Sequence, residues 1–437
     1  MMMSDELTPI IFISGLMGSM GGEMLGCKSK WGFGVAAWIY KPFIRQLENL
    51  GYTSGKDLFV CYYDWRKSCK DIVEKFLLPL LSRVGKKHPN QKIDLLCHSM
   101  GGLVGRTYIQ EKAYDYNIRN LMILGTPNKG SVKAYYTWST GEVMGGKIDK
   151  GNQLFEIIQR GYIWLLTKIL DIPLGKDNIE MLHKNFQGLG DLLPTYDYGY
   201  VLCYEDGKNN YVYIPNKHIK YKNSFVNNLN KNIDVLYDRI KNLYCFVGTN
   251  RKTDKILIID KEELFNNKNE DIISSLKTKE GDGTVTVKSA IIDHGKTFIM
   301  EEGHSGILLG SIQYIADIYN LDKTLVKKDT MEPEGYPLGI IFKKHIGMVL
   351  RSKKDVIGRF IHTGFVTEHE FIMEEFGEDY IWIMLKDVPS DKYILEVFAE
   401  DKIGYDIFVI GTKVAEELTD ENVRKLDENK IEFYFEV

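Results

Sequence analysis

The stretch that most constrains this chain is Leu95-Leu96-Cys97-His98-Ser99-Met100-Gly101-Gly102, where an apolar strand runs into a helix through a small-x-Ser-x-Gly turn. Such a turn strains the backbone at the serine and pushes its hydroxyl out over the sheet. Small residues two positions to either side, here Cys97 and Gly101, let strand and helix pack closely around the bend. The helix that follows aims its first backbone N–H groups at the point where negative charge would develop. This is the form of a nucleophile elbow, with cysteine where the commoner pattern has glycine.

The flanking sequence supplies the sheet that an elbow needs. Over the first 130 residues, short β-branched runs alternate with amphipathic stretches, the rhythm of a mostly parallel sheet with crossover helices. Strands are expected at 9–13, 57–61, 93–97 and 120–124, and helices near 41–50, 70–87 and 102–112. From about Ser131 to Asn242 the rhythm breaks into aromatic, Asn-rich and Gly-rich sequence, too long for a loop, which reads as an inserted cap. Within it, 154–170 places Glu156, Arg160 and Thr167 on one helical face, with Phe155, Ile158, Tyr162, Leu165, Leu166 and Ile169 turned away. A helix packed on the core is favoured there over one lying at a lipid interface.

Strand signals return at 243–247, 255–259 and 297–300, followed by a helix at 305–319. The segment VKKDTMEPEGYP at 326–337 reads as a linker, and beyond it apolar runs at 380–385, 393–398 and 406–410 read as a β-sandwich. The expected organisation is an α/β core from residues 1–130 and 243–325, a cap or lid at 131–242 and a β-rich C-terminal domain at 336–437.

Hydrophobic residues make up 44% of the 437 and charged residues 27%, so a buried core is available and global disorder is excluded. Net charge is −4 overall, yet residues 331–437 carry 23 acidic and 13 basic side chains, net −10, which leaves +6 for the first 330. With no Lys/Arg-rich run to follow a phosphate backbone, nucleic acid is not expected as a partner. The six cysteines, at 27, 61, 69, 97, 203 and 245, form no CxxC pair and read as free thiols, with neither a disulfide frame nor a metal site. No cofactor is expected. The N-terminus reads as a strand and not as a signal peptide, and no uncharged stretch approaches the roughly 18 residues of a membrane span. The expected location is therefore cytoplasmic, with any membrane contact peripheral and through the cap.

A nucleophilic serine needs a base, and the base needs an orienting carboxylate; behind an elbow of this type the chain order is Ser, Asp or Glu, then His. Asp282, in the glycine-flanked run Gly281-Asp282-Gly283-Thr284-Val285, and His304, in Gly303-His304-Ser305-Gly306, fit that order. His294 is the rival base, and Asp260 and Asp293 are the rival acids. His98, next to the nucleophile, reads as a support of the elbow. Two backbone donors are needed for an oxyanion: Met100 supplies one, and Leu16, in the loop Ser14-Gly15-Leu16-Met17-Gly18-Ser19 after the first strand, is the best candidate for the other.

Met17, with Met20 and Met24, suits either an adaptable acyl-chain wall or core packing. Trp65, in Tyr63-Asp64-Trp65-Arg66, either lines an acyl pocket or merely accompanies an Asp64–Arg66 ion pair that pins the strand end. The glycines of Gly32-Phe33-Gly34-Val35-Ala36-Ala37 follow no strand, and so a dinucleotide fingerprint is discarded.

These motifs together carry a resemblance. The opening strand with Gly15-Leu16-Met17-Gly18-Ser19, Tyr63-Asp64-Trp65-Arg66, His98-Ser99-Met100-Gly101-Gly102, Leu124 to Ser131, Leu192-Leu193-Pro194, Gly281 to Val285, and His304 followed by Ile307-Leu308 span about residues 8 to 318. In that order the chain resembles the lecithin:cholesterol acyltransferase-like family of α/β-hydrolases, which includes phospholipases and acyltransferases. The resemblance implies an α/β-hydrolase core, Ser99, Asp282 and His304 as triad, and the amides of Leu16 and Met100 as oxyanion hole. It also implies hydrolysis or transfer of acyl groups of lipid esters, as by a phospholipase A or lipase. Secreted members carry a signal peptide and a disulfide-held lid, neither evident here, and the acidic tail has no counterpart in the family. The alternatives are a non-catalytic lipid- or protein-binding scaffold on the same fold, and a small-ester carboxylesterase or serine peptidase.

Overall fold

The computed structural model describes residues 7–25, 30–112, 114–115, 117–142, 153–169, 179–207, 210–266, 270–327, 334–361, 364–399 and 406–437. Cys27, half of the linker segment (328–333) and parts of the cap lie outside the described residues. The first ten strands are β1 (Ile10–Ile13), β2 (Leu58–Cys61), β3 (Ile93–His98), β4 (Ile118–Leu124), β5 (Tyr200–Glu205), β6 (Tyr211–Pro215), β7 (Asn242–Gly248), β8 (Thr253–Ile259), β9 (Ile272–Thr278) and β10 (Lys296–Met300).

Six of them form a parallel sheet in the order β10-β7-β4-β3-β1-β2. Its central strands are buried along their length, β1 and β3 completely, as parallel strands covered on both faces must be. The helix Met100–Gln110 packs on β3 with helices Cys69–Ile72, Ser224–Lys231 and Ile233–Arg239, while Ala37–Asn49 packs with Gly306–Gly310 and Ile312–Tyr319. The fold is an α/β-hydrolase core, with the elbow on a strand at the middle of the sheet.

Two parts of the expected division differ in the structure. The strand expected at 255–259 does not rejoin the core: β8 and β9 pair with the cap strands in a four-stranded sheet of order β6-β5-β8-β9. A β-branched run announces a strand but not its partner, and β8 finds its apolar cover on the cap helix Val132–Thr140. Conversely, helices Ser224–Lys231 and Ile233–Arg239 fall inside the expected cap, yet they lie against the elbow helix as crossover helices leading into β7.

The C-terminal strands are β11 (Tyr336–Lys343), β12 (Ile346–Ser352), β13 (Val356–Ile361), β14 (Gly364–Thr367), β15 (Phe371–Phe376), β16 (Tyr380–Val388), β17 (Lys392–Ala399), β18 (Phe408–Gly411), β19 (Ala415–Glu417), β20 (Arg424–Asp427) and β21 (Lys430–Glu436). They form two antiparallel sheets, β15-β16-β11-β18-β19 and β14-β13-β12-β17-β21-β20, facing each other as a sandwich. The inner strands of the first sheet, β16, β11 and β18, are buried on both faces. Ile340, Ile381, Ile383 and Val409 point into the sandwich, whereas Ile341, Trp382, Met384 and Phe408 join the core of the α/β unit. That two-sided burial explains why 380–385 is uniformly apolar where a half-exposed strand would alternate.

Candidate active site

Ser99 stands between β3 and its helix with φ 53° and ψ −124°, a conformation that costs a non-glycine residue on the order of 1–3 kcal/mol. The surroundings hold it there. Its N–H donates to the Leu124 carbonyl at 2.8 Å, anchoring the turn to β4. At Gly101 a Cβ would meet the carbonyl oxygens of Ile13 at 2.4 Å and Ser14 at 2.6 Å, so the close crossing of helix over β1 requires glycine.

Residues distant in sequence converge on the hydroxyl. His304 Nε2 lies 2.9 Å from Ser99 Oγ, and His304 Nδ1 lies 2.7 Å from Asp282 Oδ2. The other carboxylate oxygen, Asp282 Oδ1, accepts from the amides of Thr284 at 2.8 Å and Val285 at 2.7 Å. The His304 N–H in turn donates to the Asp282 carbonyl at 2.9 Å, so the two loops hold each other. All three side chains are buried. The rivals are elsewhere: Asp260 caps the helix Lys261–Asn266 through the amides of Glu262 and Glu263, and Asp293 and His294 line a separate surface groove.

Leu16 and Met17 line the same cleft as Ser99. Met100 is the first residue of its helix, so its N–H is among those with no partner inside the helix. Tyr40 carries no motif that marks it in the sequence. Its hydroxyl accepts from the Gly15 amide at 3.0 Å and lies 3.0 Å from His98 Nδ1, while His98 Nε2 lies 2.9 Å from the His304 carbonyl oxygen. A carbonyl can only accept, so Nε2 carries the proton and the Tyr40 hydroxyl donates to Nδ1. Burial, with His304 close by, pushes His98 down to about 3, which keeps it neutral. One chain of hydrogen bonds thus joins the loop of Leu16 to the backbone of His304.

The cleft above Ser99 holds about 1090 Å³ of space between atoms, its open mouth included. Trp65, Phe186, Leu189, Leu192, Leu182 and Met17 are among the apolar residues that line it. Trp65 lines the cleft and stacks on Phe186 at 6.0 Å, and Asp64 and Arg66 form the ion pair, at 2.9 Å. Met20 and Met24 are buried in the core. The helix Gln153–Ile169 is not at a surface: it lines the cleft with Glu156, Arg160 and Thr167 and packs with its opposite side on the C-terminal domain. The five described cysteines are free and buried.

Residues 28–168, which contain the elbow but neither Asp282 nor His304, match the lecithin:cholesterol acyltransferase family model. Over that span the chain is similar to lecithin:cholesterol acyltransferases. The match supports an esterase- or acyltransferase-type enzyme working on lipid esters. Among curated proteins none matches the chain significantly. Among solved structures, the lipase BlEst2 of Bacillus licheniformis in propeptide form is similar at 13% identity, covering 99% of this chain and 74% of that one with TM-score 0.38. Phospholipase PlaB of Legionella pneumophila is similar at 11% identity, covering 94% and 91% with TM-score 0.37. Among the described residues no helix is long and apolar enough to cross a membrane.

Proposed function

We propose that the protein is a serine esterase acting on long-chain acyl esters of lipids, of phospholipase A or lipase type, through an acyl-enzyme on Ser99. The observation that carries this reading is the unbroken hydrogen-bonded chain from Asp282 through His304 to Ser99 at the floor of a largely apolar cleft. As Ser99 Oγ adds to the ester carbonyl carbon, His304 Nε2 takes its proton, and Asp282 stabilises the resulting imidazolium. The amides of Leu16 and Met100 bind the oxyanion. Collapse breaks the carbon–oxygen bond to the alcohol, which leaves with the proton returned by His304. Water, deprotonated by the same imidazole, then releases the acid and restores Ser99. A second alcohol in place of water gives acyl transfer with the same groups.

A lipid substrate is taken from an aggregate, so the reading carries a peripheral contact with a lipid surface on the cap side. The test is labelling by a fluorophosphonate probe together with turnover of p-nitrophenyl esters of increasing chain length. Labelling that disappears in Ser99→Ala, a rate lowered by about 10⁴-fold in that variant and a preference for long chains are expected. Undiminished turnover by Ser99→Ala would overturn the reading. An unlabelled native protein would favour the non-catalytic scaffold, and a preference for acetyl esters the small-ester carboxylesterase.

A further inference from the structure

The loop from Ser14 to Ser19 is held at both ends and strained in the middle. The Gly15 N–H donates to the Tyr40 hydroxyl at 3.0 Å, and the Ser14 carbonyl accepts from the Tyr63 hydroxyl at 2.7 Å. At the far end the Ser19 hydroxyl donates to the Tyr63 carbonyl at 2.8 Å and accepts from the Tyr63 N–H at 3.0 Å. Between these anchors the Gly18 N–H closes a turn on the Gly15 carbonyl at 3.0 Å, with Leu16 and Met17 as its central residues.

Met17 has φ 59°, a value that Leu16 does not share. A turn with positive φ at its third residue alone follows the type II pattern, which ordinarily takes glycine or asparagine there. Among the described residues six that are not glycine have positive φ, and three of these are asparagine, which tolerates it. Of the other three, His294 lies in the separate surface groove, whereas Ser99 and Met17 line one cleft. Strained residues persist where the surrounding structure over-determines them, and they cluster at active sites. Here one is the nucleophile and the other adjoins the proposed oxyanion donor.

We infer that Met17 is a positioning residue that acts through its left-handed backbone rather than its side chain, holding the turn in the form that presents the Leu16 amide to the oxyanion. This rests on the reading of Ser99 as the nucleophile and of Leu16 as a donor. With the ends of the loop fixed, relaxing Met17 to negative φ converts the turn to type I, in which the peptide between Leu16 and Met17 is turned over. The dipole beside the Leu16 N–H is then reversed, and a donor set in advance for developing charge loses its alignment.

A substitution series separates backbone from side chain. Glycine adopts positive φ freely, alanine does so at a cost, and β-branched valine is the most opposed to it. Turnover of p-nitrophenyl acetate should therefore rank Met17→Gly above Met17→Ala above Met17→Val, with valine at least about tenfold below glycine in kcat. Met17→Asn, bulkier than alanine yet tolerant of this conformation, should rank above Met17→Ala. A side chain that only fills space predicts the opposite order, since valine best replaces the lost methionine.

Inhibition by trifluoroacetophenone gives a second readout. Ser99 Oγ adds to its carbonyl carbon, the hydroxyl proton passes to His304, and the carbonyl oxygen becomes the anion that the donors hold. Its affinity should follow the same order, while acetophenone, which forms no such adduct, should bind all variants within about twofold. Thermal unfolding reports on each fold, and if the valine variant does not fold, the glycine, alanine and asparagine variants carry the comparison. The reverse order, or no order, would overturn the inference, as would a parallel loss for acetophenone. A native protein that neither hydrolyses the ester nor takes up the trifluoromethyl ketone removes the reading of Ser99 and this inference with it. An active native enzyme with the reversed ranking removes the inference alone.

Discussion

Gly161 lies against the indole of Trp382, so closely that a Cβ built on the glycine would meet two ring carbons at 2.3 Å. At this contact the cleft-lining helix rests on the outer face of the sandwich. Nearby, Trp164 stacks on Phe408 at 5.3 Å and donates from Nε1 to Glu417 at 3.0 Å, while Lys168 Nζ meets Asp406 at 3.3 Å. The C-terminal domain thereby backs the helix that lines the cleft above Ser99. Gly161→Val must displace either the indole or the helix, and such overpacking costs about 1–3 kcal/mol. The expected outcome is a lower Tm and a larger loss of turnover on long-chain than on acetyl p-nitrophenyl esters, since Gln159 and Arg160 sit beside the glycine. Unchanged chain-length preference in a folded variant would show that the sandwich does not shape the cleft.

Tyr40→Phe removes the acceptor of the Gly15 amide and the donor to His98 in a single step. Leaving buried partners unsatisfied costs about 1–3 kcal/mol. Because these partners hold the loop of Leu16 and the backbone of His304 and not the acyl chain, the loss should fall on kcat, by about tenfold or more, with KM within about twofold. Steady-state kinetics on one long-chain ester checks this, and a change confined to KM would place Tyr40 outside the positioning network.

How far the sequence foretold these arrangements depends on the range of the contact. The elbow was legible because strand, serine, small residues and helix are neighbours in the chain. Asp282 and His304 were legible as glycine-flanked loop residues in the right order, although nothing local required them to meet. Tyr40 was not legible, since its contacts with Gly15 and His98 arise only when a helix folds over the sheet. The amphipathic helix was legible, but not its surroundings: Gly161, Tyr162 and Trp164 rest on the sandwich, while Glu156, Arg160 and Thr167 line the cleft together with Phe155 and Ile163. For the same reason the strand at 255–259 was found and its sheet was not.

Asp191 follows directly on the short helix Gln187–Gly190, beside the cleft residues Leu189 and Leu192, and its Oδ2 accepts the Cys69 N–H at 2.6 Å. Burial is the main cause that raises it from 3.8 to about 6. Between these values the folded chain holds a proton that the unfolded chain has released, so this residue lowers stability as pH rises from about 4 to 6. Asp191→Asn, which can still accept from Cys69, should remove that loss. Its unfolding free energy relative to the native protein should rise from pH 4 to pH 7, by about 3 kcal/mol at most. Urea unfolding at pH 4, 5.5 and 7 measures the difference, and a value independent of pH would contradict the assignment.

The orientation of Asp282 leads to a sharper expectation for Asp282→Asn. The amides of Thr284 and Val285 both donate to Oδ1, so the asparagine must place its carbonyl oxygen there and its NH2 where Oδ2 stood. That NH2 faces His304 Nδ1 as a donor, which obliges Nδ1 to accept and moves the imidazole proton to Nε2. With Nε2 protonated, His304 cannot take the proton of Ser99, although every heavy atom can remain in place. Turnover at neutral pH should therefore fall by about 10³- to 10⁴-fold with little change in Tm or in affinity for a non-hydrolysable substrate analogue. A variant that stays folded and keeps more than about a tenth of native turnover would show that the carboxylate does not set the tautomer of the base.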